Sequence, residues 1–174
     1  MKWIIVAVAV LVGIVLLVVL VGAMLPRHHV SSRAAAYKSS PQQIWDVITS
    51  PQKFPSWRNG VKRVEMISPV QGRLAWREID SHGAAIPYEI VESAAPQRLV
   101  TRIADPRLPF GGTWTYELSP AAGDATVLRI TENGEVYNPI FRFVSRFFMG
   151  YSGTQEQYLR DLGDKFGQQV NVEN

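Results

Sequence analysis

Apolar side chains occupy the start of the chain without interruption. Residues 3–25 are 23 consecutive positions with no charged or polar side chain. A helix of that length rises about 35 Å, which is enough to cross the ~30 Å hydrocarbon core of a bilayer. The apolar core of a cleaved signal peptide is usually about 7–15 residues long. The length therefore favours an uncleaved, single-pass membrane anchor at residues 1–26 over a signal peptide, and it leaves the side of the membrane open.

The pattern then changes to two short helical segments behind a weakly alternating first strand. Ser40 stands where a helix N-cap is expected, Pro41 is at the first helical position, and Gln43 follows the cap by three residues, as in a capping box. A second short segment follows directly and ends near Trp57. We expect Trp45 and Trp57 to be packing residues, because tryptophans mostly supply buried apolar area.

From residue 61 onward, apolar and polar positions alternate with a period of two. Turn residues separate six candidate strands, "VKRVEMIS", "RLAWREID", "AIPYEIVES", "RLVTRIAD", "TWTYELS" and "TVLRITE". Consecutive strands with short connections predict an antiparallel meander and not βαβ units. In the fifth strand Trp114, Tyr116 and Leu118 share one face. The sequence thus predicts a sheet with one apolar face and one solvated face.

A helical period returns after Asn138, which suits an N-cap. Apolar side chains then recur at intervals of three and four as far as Phe166, with arginines between them. Gly150 and Gly153 weaken the middle of this pattern, because glycine is a poor helix former. We therefore predict a long amphipathic C-terminal helix that is kinked, or divided into two helices, at these glycines.

Composition and charge argue against several classes of protein. The formal net charge is +3 and the charges are mixed along the chain, so nucleic-acid binding is not expected. The absence of cysteine removes disulfides, thiolate catalysis and cysteine metal sites. His28 and His29 lie three and four residues after the end of the apolar run, where an interfacial position is favoured over metal binding. No hydrolase, zinc-protease, phosphate-binding or dinucleotide-binding motif occurs. We predict no catalytic residue, no metal and no cofactor.

The order of these elements resembles the START-like, helix-grip (SRPBCC) superfamily, and specifically its polyketide cyclase/dehydrase and lipid-transport branch. The resemblance covers about residues 29–168 and is carried by "SSPQQIWDVITSPQKFPSW", "GGTWTYELSP", "GDATVLRITENGEV" and "NPIFRFVSRFFMGYSGTQEQYLRDL". It implies an α+β helix-grip fold for residues 27–174. A curved antiparallel sheet of about seven strands would wrap around a long C-terminal helix, with two short helices after the first strand.

The resemblance also implies a hollow between the sheet and the last helix, and ligand pockets are mostly apolar with few polar groups. Aromatic side chains of the sheet and the helix would form its wall. These candidate ligand-binding residues are Trp76, Tyr88, Trp114, Tyr116, Phe141, Phe148 and Tyr151. The alternative is that these aromatic side chains simply fill the core, and the sequence does not distinguish the two.

Three charged residues fall on the predicted strands near these aromatics. Glu78 and Asp80 share a strand face with Trp76, where a carboxyl group in an apolar hollow could act as a general acid or base. The favoured interpretation is that both reach solvent at the strand end. Arg102 is interpreted in the same way, as a solvent-facing strand residue and not an anion anchor in the cavity.

Three functions from different classes remain open. The leading hypothesis is a membrane-tethered binding or carrier domain for an apolar small molecule, such as a lipid, a quinone or a polyketide-like compound. Its partners would be the lipid bilayer and that ligand. The second is a cyclase or dehydratase acting in the same cavity, which would need an ionisable group inside it. The third is a non-catalytic structural or interaction module with a filled core.

Overall fold

The computed structural model describes residues 1–174, apart from the side chain of Val70. It contains four α-helices, seven strands, a 3₁₀ helix and a π-helical turn. In chain order the elements are α1 Lys2–Met24, β1 His28–Tyr37, α2 Pro41–Ile48, the 3₁₀ helix Pro51–Ser56, β2 Arg63–Val70, β3 Arg73–Ile79, β4 Ala85–Ala94, β5 Arg98–Ile103, β6 Phe110–Ala121, β7 Ala125–Val136, α3 Pro139–Val144, the π-helical turn Ser145–Met149 and α4 Gly153–Lys165.

The seven strands form one antiparallel sheet in the order β1-β7-β6-β5-β4-β3-β2. Strands β2 to β7 follow each other as a meander, and β1 pairs along its whole length with β7. The sheet curves around α4, whose Tyr158, Leu159 and Leu162 are buried against it. Leu128 and Ile130 of β7 are fully buried in the same core. The predicted α+β helix-grip fold is confirmed.

The two short helices close one end of this core. The capping box at Ser40 is present, because its hydroxyl accepts from the Gln43 N–H and the Gln43 side chain accepts from the Ser40 N–H. Trp45 and Trp57 are both buried. The Trp57 ring packs edge-on against Tyr158, with ring centroids 5.2 Å apart. The two tryptophans therefore pack as the sequence indicated.

The C-terminal helical pattern forms two helices. Helix α3 begins at the Asn138 cap and continues into the π-helical turn, which ends at Gly150 with a φ of 72°. Helix α4 starts three residues later at Gly153. Of these two helices, α4 packs into the core on the concave face of the sheet, whereas α3 packs mainly against α1. We call residues 139–149, which comprise α3 and the π-helical turn, the α3–π segment.

Helix α1 projects from this domain, and its residues up to Leu17 are exposed. Within the described chain it is the one helix long and apolar enough to cross a membrane. Its last turn contacts α3, where a side chain in place of Gly22 would collide with the Pro139 carbonyl. The buried Arg142 donates from Nη1 to the Leu25 carbonyl oxygen at 2.8 Å. The C-terminal end of α1 is therefore attached to the α3–π segment.

We predict that Ser40→Ala destabilises the domain by about 1 kcal/mol, because it removes one half of the capping box. Thermal unfolding of the full chain in detergent micelles measures the effect. Ser119→Ala, at an exposed position of β6, is the control and should change stability by less than about 0.5 kcal/mol. Equal melting temperatures for the two variants would contradict the role of this cap.

Candidate ligand-binding site

A small inner cavity lies between the concave face of the sheet and the helices. Its volume is about 40 Å³, which leaves room for about one or two water molecules. Side chains from the two short helices, four strands and α4 enclose it. They are Ile48, Phe54, Arg58, Trp76, Glu78, Tyr88, Thr101, Trp114, Tyr116 and Thr154. The aromatic side chains of the sheet therefore fill most of the space that a large hollow would need.

An ion pair stands in the wall of this cavity. Arg58 Nη1 donates to both carboxylate oxygens of Glu78 at 2.8 Å, and Trp76 Nε1 donates to Glu78 Oε1 at 3.0 Å. The side chains of Arg58 and Glu78 are only 14% and 11% exposed. Removing two charges from water is costly unless they are paired and hydrogen-bonded, and this pair meets both conditions.

Helix α4 positions Arg58 from the opposite side of the cavity. The buried Asp161 accepts from the Asn59 backbone N–H at 2.9 Å and from Asn59 Nδ2 at 2.6 Å. This bond fixes the loop after the 3₁₀ helix. The Arg58 guanidinium then lies 5.1 Å from the ring centroid of Phe54 and 4.9 Å from that of Tyr158, within the range of cation–π attraction.

Burial and charge set the protonation of the cavity wall. Burial acts to lower the pKa of Arg58, but attraction to Glu78, helped by nearby tyrosines, outweighs it and raises that pKa above its usual value. Burial also raises the pKa of Tyr88, Tyr116 and Tyr158. The guanidinium is therefore charged and the phenols are protonated at neutral pH.

A larger and more apolar cleft of about 590 Å³ adjoins the inner cavity. It lies between the α3–π segment and the ends of β5, β6 and β7, and Thr154 lines both spaces. The cleft is lined by His29, Ile103, Phe110, Gly111, Glu132, Glu135, Val136, Phe141, Val144, Ser145, Met149, Gly150, Tyr151, Gly153 and Thr154. We call it the apolar cleft.

His29 and Glu132 are polar groups in the wall of the apolar cleft. The His29 ring stacks on Tyr151 with centroids 4.0 Å apart, and its Nε2 lies 3.5 Å from Glu132 Oε1. A side chain in place of Gly134 would collide with the His29 ring in this position, so the glycine leaves room for the ring. The cleft thus combines a mostly apolar wall with a localised polar group.

The predicted site residues divide between the two spaces. Trp76, Tyr88, Trp114 and Tyr116 line the inner cavity. Phe141 and Tyr151 line the apolar cleft. Phe148 lines neither space, and 77% of its surface is exposed. Ligand binding by these seven residues stays a prediction.

The charged strand residues differ in their positions. The favoured interpretation of Glu78 is wrong, because its side chain faces inward and pairs with Arg58. Asp80 does lie at a solvent-accessible turn, where it accepts from the His82 and Ala84 N–H groups. Arg102 is exposed, as predicted, and pairs with the buried Glu89 on the outer face of the sheet.

Sequence reasoning missed three polar residues of the site. Glu78 is not one of these, because its two-residue spacing from Trp76 correctly indicated that both side chains lie on one face of the strand. Arg58 lies in a loop that has no period, so its direction could not be predicted. His29 and Glu132 come from β1 and β7, which pair only in the folded sheet. No group of three or more His, Asp or Glu side chains that could hold a metal occurs among the described residues.

The curved sheet around α4, with the inner cavity and the apolar cleft beside it, has the architecture of a helix-grip domain. A family profile described as polyketide cyclase / dehydrase and lipid transport matches residues 28–164. The chain belongs to this family. A search of curated protein sequences found no match.

Solved structures share this fold at low sequence identity. A START superfamily protein from Mycobacterium smegmatis has a TM-score of 0.62 and 16% identity, over 79% of this chain and 96% of its own. Norcoclaurine synthase from Thalictrum flavum has a TM-score of 0.62 and 12% identity, over 80% and 86%. The di-domain ARO/CYC StfQ of the steffimycin biosynthetic pathway has a TM-score of 0.62 and 14% identity, over 80% and 52%. At these identities the likeness concerns the fold alone.

We predict that Glu78→Gln lowers stability by about 3–5 kcal/mol, because it leaves the Arg58 charge buried without its partner. The double variant Glu78→Gln with Arg58→Met should recover much of this loss, since it removes the stranded charge. Thermal unfolding of the full chain in detergent micelles measures both.

The matched control is the exposed pair Arg98–Glu117. Glu117→Gln should cost no more than about 1 kcal/mol, as is usual for surface ion pairs. Similar losses for Glu78→Gln and Glu117→Gln would show that the inner pair is effectively solvated.

Proposed function

We propose that this protein is a membrane-tethered binding or carrier domain for an apolar small molecule such as a lipid, a quinone or a polyketide-like compound. The observation that carries the proposal is the apolar cleft of about 590 Å³, bounded by the segment that holds the end of α1. Its volume falls in the range of about 300–1,000 Å³ that is typical of small-molecule sites. The family to which the chain belongs supports this class of ligand.

In this proposal the two spaces have different roles. The apolar cleft takes the body of the ligand, and the His29–Glu132 pair offers one localised polar contact. The inner cavity of about 40 Å³ is the deep end and is too small for more than a minor group of the ligand. Thr154, in the first turn of α4, lines both spaces and so marks where they adjoin.

One specific observation favours an enzyme as the second candidate. The Arg58–Glu78 pair supplies the ionisable group inside the cavity that a cyclase or dehydratase reaction needs, with the protonated Tyr88 and Tyr116 beside it. Glu78 could act as a base on a substrate group that reaches the inner cavity, while Arg58 would stabilise a developing anion. Both oxygens of Glu78 are engaged by Arg58, however, and this limits its freedom to accept a proton.

The filled-core hypothesis rests on the small inner cavity. A volume of about 40 Å³ fits a packed structural core. The two hypotheses differ at the apolar cleft, where the binding hypothesis predicts a bound compound and the filled-core hypothesis predicts none. Occupancy of the cleft is therefore the decisive measurement.

The anchoring part of the proposal assigns residues 1–26 to a single-pass transmembrane anchor and residues 27–174 to the helix-grip domain. All of α1 up to Leu17 is exposed, and the mean hydropathy of its most apolar window is 3.6. Such a surface is stable only in an apolar environment.

We predict that the full chain stays in the membrane when the membranes of expressing cells are washed with alkaline carbonate. The apolar length of α1 exceeds what a peripheral contact needs. Immunoblotting of the pellet and the supernatant, with mass analysis of the chain, measures the outcome. A soluble product that starts near Met24 would instead establish a cleaved signal peptide.

We predict that the full chain, purified in mild detergent, carries an apolar compound that native mass spectrometry detects and lipidomics identifies. Val144→Trp places a large side chain in the apolar cleft. It should reduce occupancy about tenfold or more, because a misfit of about 1.4 kcal/mol already has that effect.

Leu74→Trp, at a partly exposed position of β3, is the control and should keep the compound. An absence of bound compound in the wild-type chain would contradict the binding proposal, and so would equal occupancy in both variants. If instead the compound is chemically changed during incubation, and Glu78→Gln abolishes the change at a temperature where that variant is still folded, the enzyme hypothesis takes its place.

A further inference from the structure

Five apolar side chains of the α3–π segment are exposed. Phe148 is 77% exposed, Met149 73% and Phe147 56%. Phe141 and Ile140 are 48% and 42% exposed. Single exposed apolar residues are normal on a protein surface, but five of them on one segment of 11 residues indicate a contact surface.

The position of this surface relative to α1 identifies what covers it. Gly22, in the last turn of α1, lies against the backbone of Pro139 at the start of the segment. Gly22 is only about 4.5 Å along the helix axis from Leu25, the last apolar residue of the run. The start of the α3–π segment therefore lies at the level where the apolar length of α1 ends, which is the boundary between hydrocarbon and headgroups.

The bonding of Arg142 holds the segment at that level. Its Nη1 donates to the carbonyl oxygens of Leu25 at 2.8 Å and of Ala23 at 3.4 Å. These are among the final carbonyls of α1, which lack partners within the helix and need a donor near the membrane surface. The contact gives Nη1 of the buried guanidinium an acceptor and the end of α1 a donor, so it joins α1 to α3.

The charged residues beside the surface fit the same environment. Arg146 is exposed on the π-helical turn, and Arg27 is exposed two residues after the end of the apolar run. Arginine at this depth extends its charged group to lipid phosphates while its alkyl part stays in apolar surroundings. Aromatic side chains and arginines that surround the end of a membrane helix are typical of an interfacial segment.

From these contacts we propose that the α3–π segment lies in the headgroup layer of the bilayer that holds α1, with Phe147, Phe148 and Met149 in lipid. This inference rests on the anchoring part of the proposed function. Met149 and Phe141 also line the apolar cleft, so the cleft opens at the lipid surface. The ligand class then narrows to compounds that dissolve in the bilayer and enter the cleft without crossing water.

The absence of cysteine in the chain allows a clean test with single-cysteine variants of the full chain in proteoliposomes. Phe147→Cys, Phe148→Cys and Met149→Cys are each labelled with an environment-sensitive fluorophore. Brominated phospholipids should quench these labels several-fold more than aqueous iodide does. All three side chains are exposed, so labelling should not disturb the fold.

Two exposed positions serve as controls. Ala122→Cys lies at the β6–β7 turn, at the far end of these strands from Phe110 and Val136. Met66→Cys replaces an exposed apolar residue of β2, at the opposite sheet edge from β1. Labels at both should be quenched by iodide and not by the brominated lipid.

The possible results separate this inference from the proposals on which it rests. Retention of the chain after a carbonate wash, with segment labels that behave like the Ala122→Cys control, overturns the interfacial position and leaves the anchor intact. Release of the chain overturns the anchor itself. A third result is that the labels are protected from iodide to a degree that depends on the protein-to-lipid ratio, while the brominated lipid does not quench them. This result would assign the surface to a second copy of the chain and would also overturn the inference. Ligand occupancy is measured separately, so its loss does not affect this result.

Discussion

Burial of α4 against the concave face of the sheet is the contact on which the other features depend. Leu159 and Leu162 are completely buried there, and the Tyr37 hydroxyl donates to the Leu159 carbonyl at 2.9 Å. Because α4 is fixed, Asp161 can hold the loop that carries Arg58. The same helix brings Thr154 to the junction of the inner cavity and the apolar cleft. Core packing and site geometry are therefore set together.

The division of the C-terminal helix gives this domain its second space. A continuous helix would have placed the aromatic side chains of residues 139–149 along the sheet with those of α4. The break at Gly150 instead turns the α3–π segment toward α1. The apolar cleft lies in the gap that this turn leaves. Attachment to α1 and the existence of the cleft thus follow from one change of chain direction.

The Arg58–Glu78 pair gives the core a polar centre that packing alone would not need. Such pairs contribute little net stability, because desolvation offsets much of the attraction. The value of this pair lies in its fixed position. Trp76 holds the Glu78 carboxylate, and the bond between Asn59 and Asp161 holds the loop that carries Arg58. A ligand or substrate group that enters the inner cavity would meet a fixed cation and a fixed anion.

Periodicity and capping predicted most of the local structure. The capping box at Ser40, the strand meander and the break near Gly150 all follow from interactions between residues close in sequence, and the structure contains each of them. The spacing of Glu78 from Trp76 indicated that the Glu78 side chain faces inward, but no local pattern indicated which residue pairs with it. Arg58 comes from a loop 20 residues away. A charge without a visible partner is more reasonably assigned to solvent.

The long-range contacts could not be predicted from these local patterns. His29 meets Glu132 and Tyr151 only because β1 pairs with β7 and the chain then returns past it. Phe148 has the helical spacing of a core residue, yet it is exposed because α3 follows α1 and not the sheet. Side-chain periodicity reports which face of a helix is apolar. What that face contacts depends on the paths of segments more than one hundred residues apart, and those paths are fixed only when the whole chain packs.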